Sequence, residues 1–311
     1  MSLTVVKSGV LSVLQDNGRR GHYRLGLTEG GPLDAEAFHY CNRLLGNPPD
    51  ATVVEISVGG ATFEATVPTA ICVTGAEADV NINEESVARW QVHPVAPGDK
   101  IHIGHARRGC RFYLGVAGGF AVTPQFGSSA TVVREGIGGL DGGPLREGDS
   151  LPCTAVDRHP LLRLPDNHQP RYSQLLTVRV IPCYQHTLFS RDERRRFFGG
   201  PYTVSQRADR MGYQLHGEQV HCARSRFLSE GIARGAIQIT GEGQPIVLLN
   251  DRATIGGYPK IGTALSLDLS RLSQLTAGAT VYFTPITHHT ARRALLLAQR
   301  FGLVKPLQSV G

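Results

Sequence analysis

The chain has 311 residues, a formal net charge of +6 and a hydrophobic share of 41%, which is enough to build a sizeable core and two domains. Its densest basic runs, at 107–108 and 194–196, carry no interleaved aromatic residues and no nucleic-acid-binding motif, so a nucleic-acid partner is not predicted. No apolar run is long enough to span a membrane and the N-terminus does not look like a signal peptide, so we expect a cytoplasmic protein with no membrane partner.

Cysteine and histidine residues give no metal or disulfide pattern. The six cysteines stand at positions 41, 72, 110, 153, 183 and 222, without a CxxC pair. Buried free thiols are therefore the favoured interpretation, and no metal site is predicted. Cys183 lies close to His186, which leaves a nucleophilic thiol open, but a packed thiol is favoured because no third orienting group is nearby.

The first half, residues 1–155, predicts a β-rich domain that contains one strong helix. LTVVKSG and VLSVLQD are typical of strands, and Gly9 separates them. Pro32 and Asp34 suit the start of a helix, and Gly46 suits its end. Further short segments bounded by Gly, Pro or Asn predict strands: VVEIS, ATFEATV, AICVTGA, ADVNIN, KIHIG and RFYLGVAGG.

The second half, residues 173–311, predicts another β-rich domain after a proline-containing linker at 156–172. The predicted strands are LLTVRVIP, YTVSQ, GAIQIT, QPIVLLN, ALSLDL and TVYFTPI. Helices are expected at SRDERRRFF, at DLSRLSQL with Asp268 as N-cap, and at HHTARRALLLAQRFG. In the last of these, the face turned inward is either Ala291, Leu295 and Ala298 or Ala294 and Leu296. Strands without long intervening helices exclude a doubly wound parallel sheet and indicate two β-barrel-like domains.

Charged residues among glycines mark the candidate chemistry. The stretch 15–34 holds Asp16, Arg19 and Asp34 among five glycines, which suits either an anion site or an exposed loop held by an Asp–Arg pair. Glu55 lies in an apolar strand and must face solvent or be paired. The stretch 205–217 places Asp209 and Arg210 before a glycine turn, which alone is a weak signal.

The stretch DRATIGGYP, at 251–259, is either an ordinary turn or a loop whose backbone approaches a small molecule. Standard catalytic signatures such as GxxxxGK[ST], HExxH, GxSxG and GxGxxG are missing from the sequence. The residues alone therefore leave both interpretations open.

These stretches resemble, in order, the allophanate hydrolase subunit 2 family. That family includes the C subunit of bacterial ATP-dependent 5-oxoprolinase, the regulator KipA and the carboxyltransferase part of urea carboxylase. The resemblance covers about residues 5–285 and rests on QDNGRRGHYRLGLTEGGPLD, AEAFHYCNRLLGN, VVEISVGG, YLGVAGG, REGIGGLDGGPLREGD, DRMGYQLHG, GAIQITGEGQPIVLLND and GGYPKIG.

The resemblance implies two cyclophilin-like β-barrel domains with a few short helices. It implies a component of 5-oxoprolinase that works with a KipI-like B subunit and a lactam-binding subunit, uses ATP through the complex and opens 5-oxoproline to glutamate. One alternative is a biotin-dependent carboxyltransferase acting on urea or a similar small amide. Another is a non-catalytic KipA-like regulator that binds a KipI-like partner.

The resemblance also implies site residues. Asp16, Asp209 and Asp251 are candidate general bases. Arg19 and Arg210 would hold an anionic group, while Thr254 and the backbone of the GGYP loop would hold a carbonyl group. The full set of expected substrate-binding positions is Arg19, Asp34, Glu55, Arg210, Gly212, Gln238, Asn250, Thr254, Gly256, Gly257 and Tyr258.

The sequence departs from the family pattern at informative positions. Where the family usually has D-x-Q-T-T-G-G-Y-P, this chain has Ala253 and Ile255, so two hydrogen-bonding side chains are replaced by apolar ones. Ile181 stands where the family usually has a glycine before proline. Because a site built to hydrogen-bond its substrate is weakened by such changes, the substrate remains open.

Overall fold

The computed structural model describes residues 1–224, 227–302 and 305–310. The chain forms two compact units. The first unit takes in Met1–His22, Glu29–Tyr172 and Lys305–Gly311, and the second takes in Tyr23–Thr28 and Ser173–Val304. Residues 156–172, which the sequence indicates as a linker, belong to the first unit, where Leu164 and Tyr172 are buried.

Short strands dominate the first unit. Their bounds are β1 Ser2–Ser8, β2 Leu11–Gln15, β3 Val53–Ser57, β4 Ala61–Ala65, β5 Thr69–Glu77, β6 Val80–Ile82, β7 Glu85–Val87, β8 Val92–Val95, β9 Lys100–Ile103, β10 Arg108–Val116, β11 Ser150–Pro152 and β12 Leu162–Arg163. A six-stranded sheet has the order β11-β1-β4-β9-β6-β7, and a five-stranded sheet has the order β2-β3-β10-β5-β8. Ile56, Phe63 and Phe112 are fully buried in one core cluster of this unit.

The helix α1, Ala35–Leu44, begins and ends as the sequence predicts. The side chain of Asp34 accepts a hydrogen bond from the backbone N–H of Ala37, as an N-cap does. Phe38, Cys41 and Leu44 are buried at helical spacing. Gly46, just after the helix, adopts a φ of 62°, which glycine tolerates better than other residues.

The second unit contains a closed barrel. The strands of this unit are β13 Leu175–Pro182, β14 Tyr202–Ala208, β15 Gly212–Gly217, β16 Glu230–Gly231, β17 Ala236–Ile239, β18 Pro245–Leu248, β19 Ile255–Gly256, β20 Lys260–Ala264 and β21 Thr280–Pro285. Its helices are α2 Arg191–Gly199, α3 Ser266–Leu272 and α4 His288–Leu297, which is followed by a π-helical turn at Ala298–Gly302. The barrel order is β13-β20-β17-β18-β15-β14-β21, and β13 pairs with β21 in parallel. The last strand, β22 at Gln308–Ser309, belongs to the first unit, where it pairs with β12. The predicted mainly β fold with a few short helices is confirmed.

Two predictions for the helices of the second unit are wrong. Asp268 lies inside α3, whose N-cap is Leu265, because its carboxylate instead accepts hydrogen bonds from the backbone N–H and the guanidinium of Arg179. In α4 only Ala291 is buried, while Leu295 and Leu296 are 39% and 54% exposed.

The free thiols agree with the packed interpretation. Cys41, Cys72, Cys110 and Cys153 are buried, and Cys183 donates to the carbonyl oxygen of Lys260 at 2.8 Å. Burial raises the pKa of Cys183, which is the opposite of what a nucleophilic thiol requires. Among the described residues, no group of three or more His, Cys, Asp or Glu could hold a metal ion. In the same part of the chain, every helix is too short or too polar to cross a membrane.

Candidate functional site

Asp16 and Arg19 stabilise the glycine-rich loops of the first unit. The carboxylate of Asp16 accepts from the hydroxyl of Ser128 at 2.5 Å and from the backbone N–H of Ser129 at 2.7 Å. The guanidinium of Arg19, only 1% exposed, donates to backbone carbonyls, including that of Ala130 at 2.9 Å. The structure thus places both side chains in hydrogen bonds that hold neighbouring loop segments, and Arg19 is buried rather than part of an exposed loop.

Asp34 and Glu55 belong to a second buried network of the first unit. The hydroxyl of Tyr113 donates to Glu55 at 2.8 Å and accepts from the backbone N–H of Asp34 at 2.7 Å. The carboxylate of Asp34 accepts from the hydroxyl of Tyr172 at 2.8 Å. Burial, and then the negative charge of Glu55, raise the pKa of Tyr113 well above its ordinary value. The carboxylate of Glu55 is therefore paired rather than solvated.

Arg210 and Asp251 form a buried ion pair in the second unit. Two guanidinium nitrogens meet the two carboxylate oxygens at 2.8 and 2.9 Å, and both side chains are 6% exposed. The backbone N–H of Asp251 also donates to the carbonyl of Arg210 at 2.9 Å. Such a two-point pair fixes the loop after β18 against the turn before β15.

Asp209 and Gly212 shape that turn. Asp209 is exposed, and its carboxylate accepts from the backbone N–H groups of Met211 and Gly212 at 2.7 and 3.2 Å. Gly212 pairs with Leu248, and a Cβ at position 212 would lie 2.9 Å from the carbonyl oxygen of Val247. The three predicted bases, Asp16, Asp209 and Asp251, thus all accept hydrogen bonds that hold local structure.

Gln238 is a buried amide on β17. It is 5% exposed and lies on the face of the sheet opposite to its neighbours Ile237 and Ile239. Within the described residues, its Nε2 atom has no hydrogen-bond partner. A buried polar group in this state destabilises a fold unless something else satisfies it, so Gln238 is a candidate ligand donor.

The GGYP loop lies over Gln238. Ile255–Gly256 pairs with Glu230–Gly231 in a two-stranded ladder, which we call the covering ladder. A Cβ at Gly256 would lie 2.4 Å from Cδ1 of Ile232 and 3.1 Å from Nε2 of Gln238. Glycine therefore lets the covering ladder pack closely against Ile232 and Gln238, whereas a larger residue would force the Ile232 side chain to shift.

Further residues of the stretch 250–258 contact the segment around Phe227 and Ile232 or lie near these contacts in the chain. A Cβ at Gly257 would lie 3.2 Å from the carbonyl oxygen of Phe227. The carbonyl of Thr254 accepts from the backbone N–H of Ile232 at 2.9 Å, while Tyr258 is 51% exposed. Asn250 is buried at the start of the loop. Of the predicted second-domain residues, Gly256 thus lies against Gln238 and Thr254 holds the same ladder, whereas Arg210 is paired with Asp251 and Gly212 with Leu248.

Sequence reasoning missed a cluster beside Gln238. We call Tyr184, Gln185, Glu230 and Lys260 the Glu230 cluster. The ammonium of Lys260 lies 2.7 Å from the Glu230 carboxylate, which also accepts from Gln185 at 2.5 Å and from the hydroxyl of Tyr184. Lys260 and then Tyr184 lower the pKa of Glu230. The signal that could have revealed it is the lysine that directly follows GGYP.

Arg252 also holds the covering ladder, through a hydrogen bond to the residue that follows it, Ile232. Its guanidinium, 1% exposed, donates to the carbonyl of Ile232 at 3.0 Å and to the hydroxyl of Tyr23 at 2.8 Å. It also lies 5.6 Å from the centre of the Tyr23 ring. The face around Gln238 thus combines a buried amide donor, a lysine ammonium and a carboxylate, a set that can bind a small polar molecule with a carbonyl group.

The chain is similar to known proteins over most of its length. The sequence model of one protein family, described as carboxyltransferase domain, subdomain A and B, matches residues 25–285 of this chain. The chain is 33% identical to the C subunit of the Escherichia coli 5-oxoprolinase over 96% of both chains, and 31% identical to that of Haemophilus influenzae over 91% of this chain and 90% of the relative. It also resembles the crystal structure of the Kluyveromyces lactis urea carboxylase, with a TM-score of 0.91 and 26% identity over 98% of this chain and 29% of that one.

Proposed function

Since the chain belongs to the family of carboxyltransferase domains with subdomains A and B, we propose that it is the C subunit of an ATP-dependent amide hydrolase of the 5-oxoprolinase type. The match to the C subunit of the E. coli 5-oxoprolinase over nearly the full length of both chains carries this proposal. The urea carboxylase, by contrast, is a much longer chain, of which this protein matches less than a third.

In this proposal the second unit contacts the substrate. Nε2 of Gln238 donates to the carbonyl oxygen of a small amide or lactam, because this buried N–H group is without a partner among the described residues. Arg210 and Asp251 keep the adjoining loop in place through their ion pair. No base is assigned, because Asp16, Asp209 and Asp251 already accept structural hydrogen bonds.

The proposal includes partners. A KipI-like B subunit and a lactam-binding subunit would complete the enzyme, ATP would be used through the complex, and the complex would work in the cytoplasm. The reaction would open 5-oxoproline to glutamate. We assign no ATP-binding residues to this chain.

A biotin-dependent carboxyltransferase is the second candidate, favoured by the close structural likeness to the K. lactis urea carboxylase. Ala253 and Ile255 bear on both candidates, because each lacks the side-chain hydrogen bond that the family pattern offers. Ile255 is 61% exposed on the covering ladder, so its change leaves the buried donor Gln238 in place.

Reconstitution separates these functions. The chain is mixed with the B and lactam-binding subunits of its organism, ATP and 5-oxoproline, and glutamate is measured. We expect glutamate to form only when this chain is present. Carboxylation of urea in the presence of a biotin carboxylase and a biotinylated carrier, without glutamate formation, would replace the proposal by the second candidate. Stable binding to the KipI-like partner without either reaction would instead indicate a regulator.

Substitution of Gln238→Met tests the site within the same assay. The change removes the N–H donor and nearly conserves side-chain volume, so we expect a fall in kcat/KM of ~10- to 100-fold with the fold retained. Gln206→Met is the matched control, because Gln206 is an exposed strand residue of the same unit. Equal activities of the two variants would remove Gln238 from the site.

A further inference from the structure

Lys260 stands beside the buried amide of Gln238. The two residues are register partners on the neighbouring strands β20 and β17, beside an irregularity in the pairing. Both approach the covering ladder, because a Cβ at Gly256 would lie 3.1 Å from Nε2 of Gln238 and the Lys260 ammonium reaches Gly231. The Lys260 side chain is 12% exposed, and its ammonium also donates to the carbonyl of Gly231 at 3.2 Å. A cation and an unsatisfied amide donor thus occupy adjacent positions under the covering ladder.

The salt bridge of Lys260 can be exchanged without leaving Glu230 unpaired. The Glu230 carboxylate receives two further donors, the amide of Gln185 and the hydroxyl of Tyr184. If the ammonium turns to another anion, both oxygens of Glu230 keep a hydrogen bond, because the two donors reach different oxygens. A lysine side chain has the flexible stem that such an exchange needs.

Arg210 is less suited to binding an anion. It was expected to hold the anionic group, but both oxygens of the buried Asp251 already face its guanidinium. Drawing Arg210 away would leave a buried carboxylate without its cation, which is strongly unfavourable. The partly exposed pair of Lys260 and Glu230 does not have this penalty.

We infer that Lys260 determines substrate specificity: its ammonium binds a carboxylate carried by the same small amide whose carbonyl oxygen accepts a hydrogen bond from Gln238. This inference rests on the proposed function and narrows its substrate to a lactam or amide that bears a carboxylate. Urea has no carboxylate and gains nothing from Lys260. Lys260 lies outside the residues that the resemblance assigned to the site.

Access to both groups requires the covering ladder to move. The ladder consists of two residue pairs, Glu230 with Gly256 and Gly231 with Ile255. So short a pair of strands is marginally stable by itself. It is held by the Glu230 cluster, by the bond from Lys260 to Gly231 and by the bond from Arg252 to Ile232, so a ligand that engages Lys260 removes part of this support.

Titration of the full chain with two lactams isolates the contribution of the charge. The probes are 5-oxoproline and 2-pyrrolidinone, which is the same ring without the carboxylate. We expect wild type to bind 5-oxoproline about tenfold more tightly than 2-pyrrolidinone. Lys260→Gln should abolish this preference, while Lys260→Arg should retain it and Gln238→Met should weaken both ligands equally.

Arg207→Gln is the matched control, because it removes an exposed positive charge from the same unit. Thermal unfolding of each variant shows that it is folded. The inference is overturned if Lys260→Gln keeps the preference, if Arg207→Gln loses it to the same degree, or if wild type binds neither lactam.

Glutamate formation by the reconstituted complex decides separately on the proposed function. A complex with Lys260→Gln whose KM for 5-oxoproline is unchanged rejects the role of Lys260 and leaves the proposed function standing. A wild-type complex that does not act on 5-oxoproline rejects the proposed function, while the titration still decides whether Lys260 selects a carboxylate.

Discussion

Two ion pairs of the second unit differ in how deeply they are buried. Arg210 and Asp251 are both 6% exposed and meet through two parallel hydrogen bonds. Lys260 and Glu230 are 12% and 34% exposed, and Glu230 has two additional donors. A family-signature residue can therefore serve architecture, while the ligand-binding role that we infer falls to a more exposed pair of the same unit.

Breaking the buried pair should have the largest effect on stability. We expect Arg210→Ala to lower the free energy of unfolding by about 3–5 kcal/mol, because it leaves Asp251 as a buried carboxylate without its cation. Urea denaturation of the full chain measures this loss. The double variant Arg210→Met with Asp251→Leu should regain most of it, since neither charge remains. A loss below about 1 kcal/mol in Arg210→Ala would contradict the architectural role.

Filling the space at Gly256 should have an intermediate effect. Gly256→Ala places a Cβ 2.4 Å from Cδ1 of Ile232, and overpacking of this kind lowers stability by about 1–3 kcal/mol. Thermal or urea unfolding gives the value. Ile232→Val in the same chain removes Cδ1 and should recover part of the loss. Gly231→Ala is the control on the facing strand, because a Cβ there meets nothing within 4 Å, and a loss equal to that of Gly256→Ala would count against the close approach.

The partly exposed pair of Lys260 and Glu230 should have the smallest effect on stability, and this effect should depend on pH. Lys260 and Tyr184 lower the pKa of Glu230 from 4.5, so its stabilising contribution is complete above that value and is lost as the pH falls through the lower pKa of the folded state. We expect less than about 1 kcal/mol, because solvent screens a pair exposed to this degree.

The free energies of unfolding of wild type and Glu230→Gln, measured from about pH 6 to pH 3, test this expectation. The wild type should lose more stability than the variant on acidification. If the difference between the two proteins does not change with pH, Glu230 does not have a lowered pKa.

Local signals made part of the molecule predictable. The helix α1 was expected because Pro32 and Asp34 suit its start and Gly46 suits its end. For Glu55, the apolar strand left two alternatives, exposure or pairing, and the structure shows the buried, hydrogen-bonded one. These features depend on residues close together in the chain, where spacing alone has predictive value.

The Glu230 cluster was missed because it is assembled over long separations. Tyr184 and Glu230 are 46 residues apart, and Gln185 reaches Lys260 over 75 residues. Glu230 lies in a segment without periodicity, so only the barrel brings it to Lys260. Asp268 was misplaced as an N-cap for a similar reason, since its partner Arg179 is 89 residues away.

The parallel pairing of β13 with β21 has a consequence for biosynthesis. The strand Leu175–Pro182 is made first among the barrel strands, yet Thr280–Pro285 is its neighbour on one side and also the neighbour of Tyr202–Ala208. Until the ribosome has released residue 285, two strands expose hydrogen-bonding edges, which favour aggregation. A nascent or truncated chain ending before Thr280 is therefore the form of this protein most in need of a chaperone.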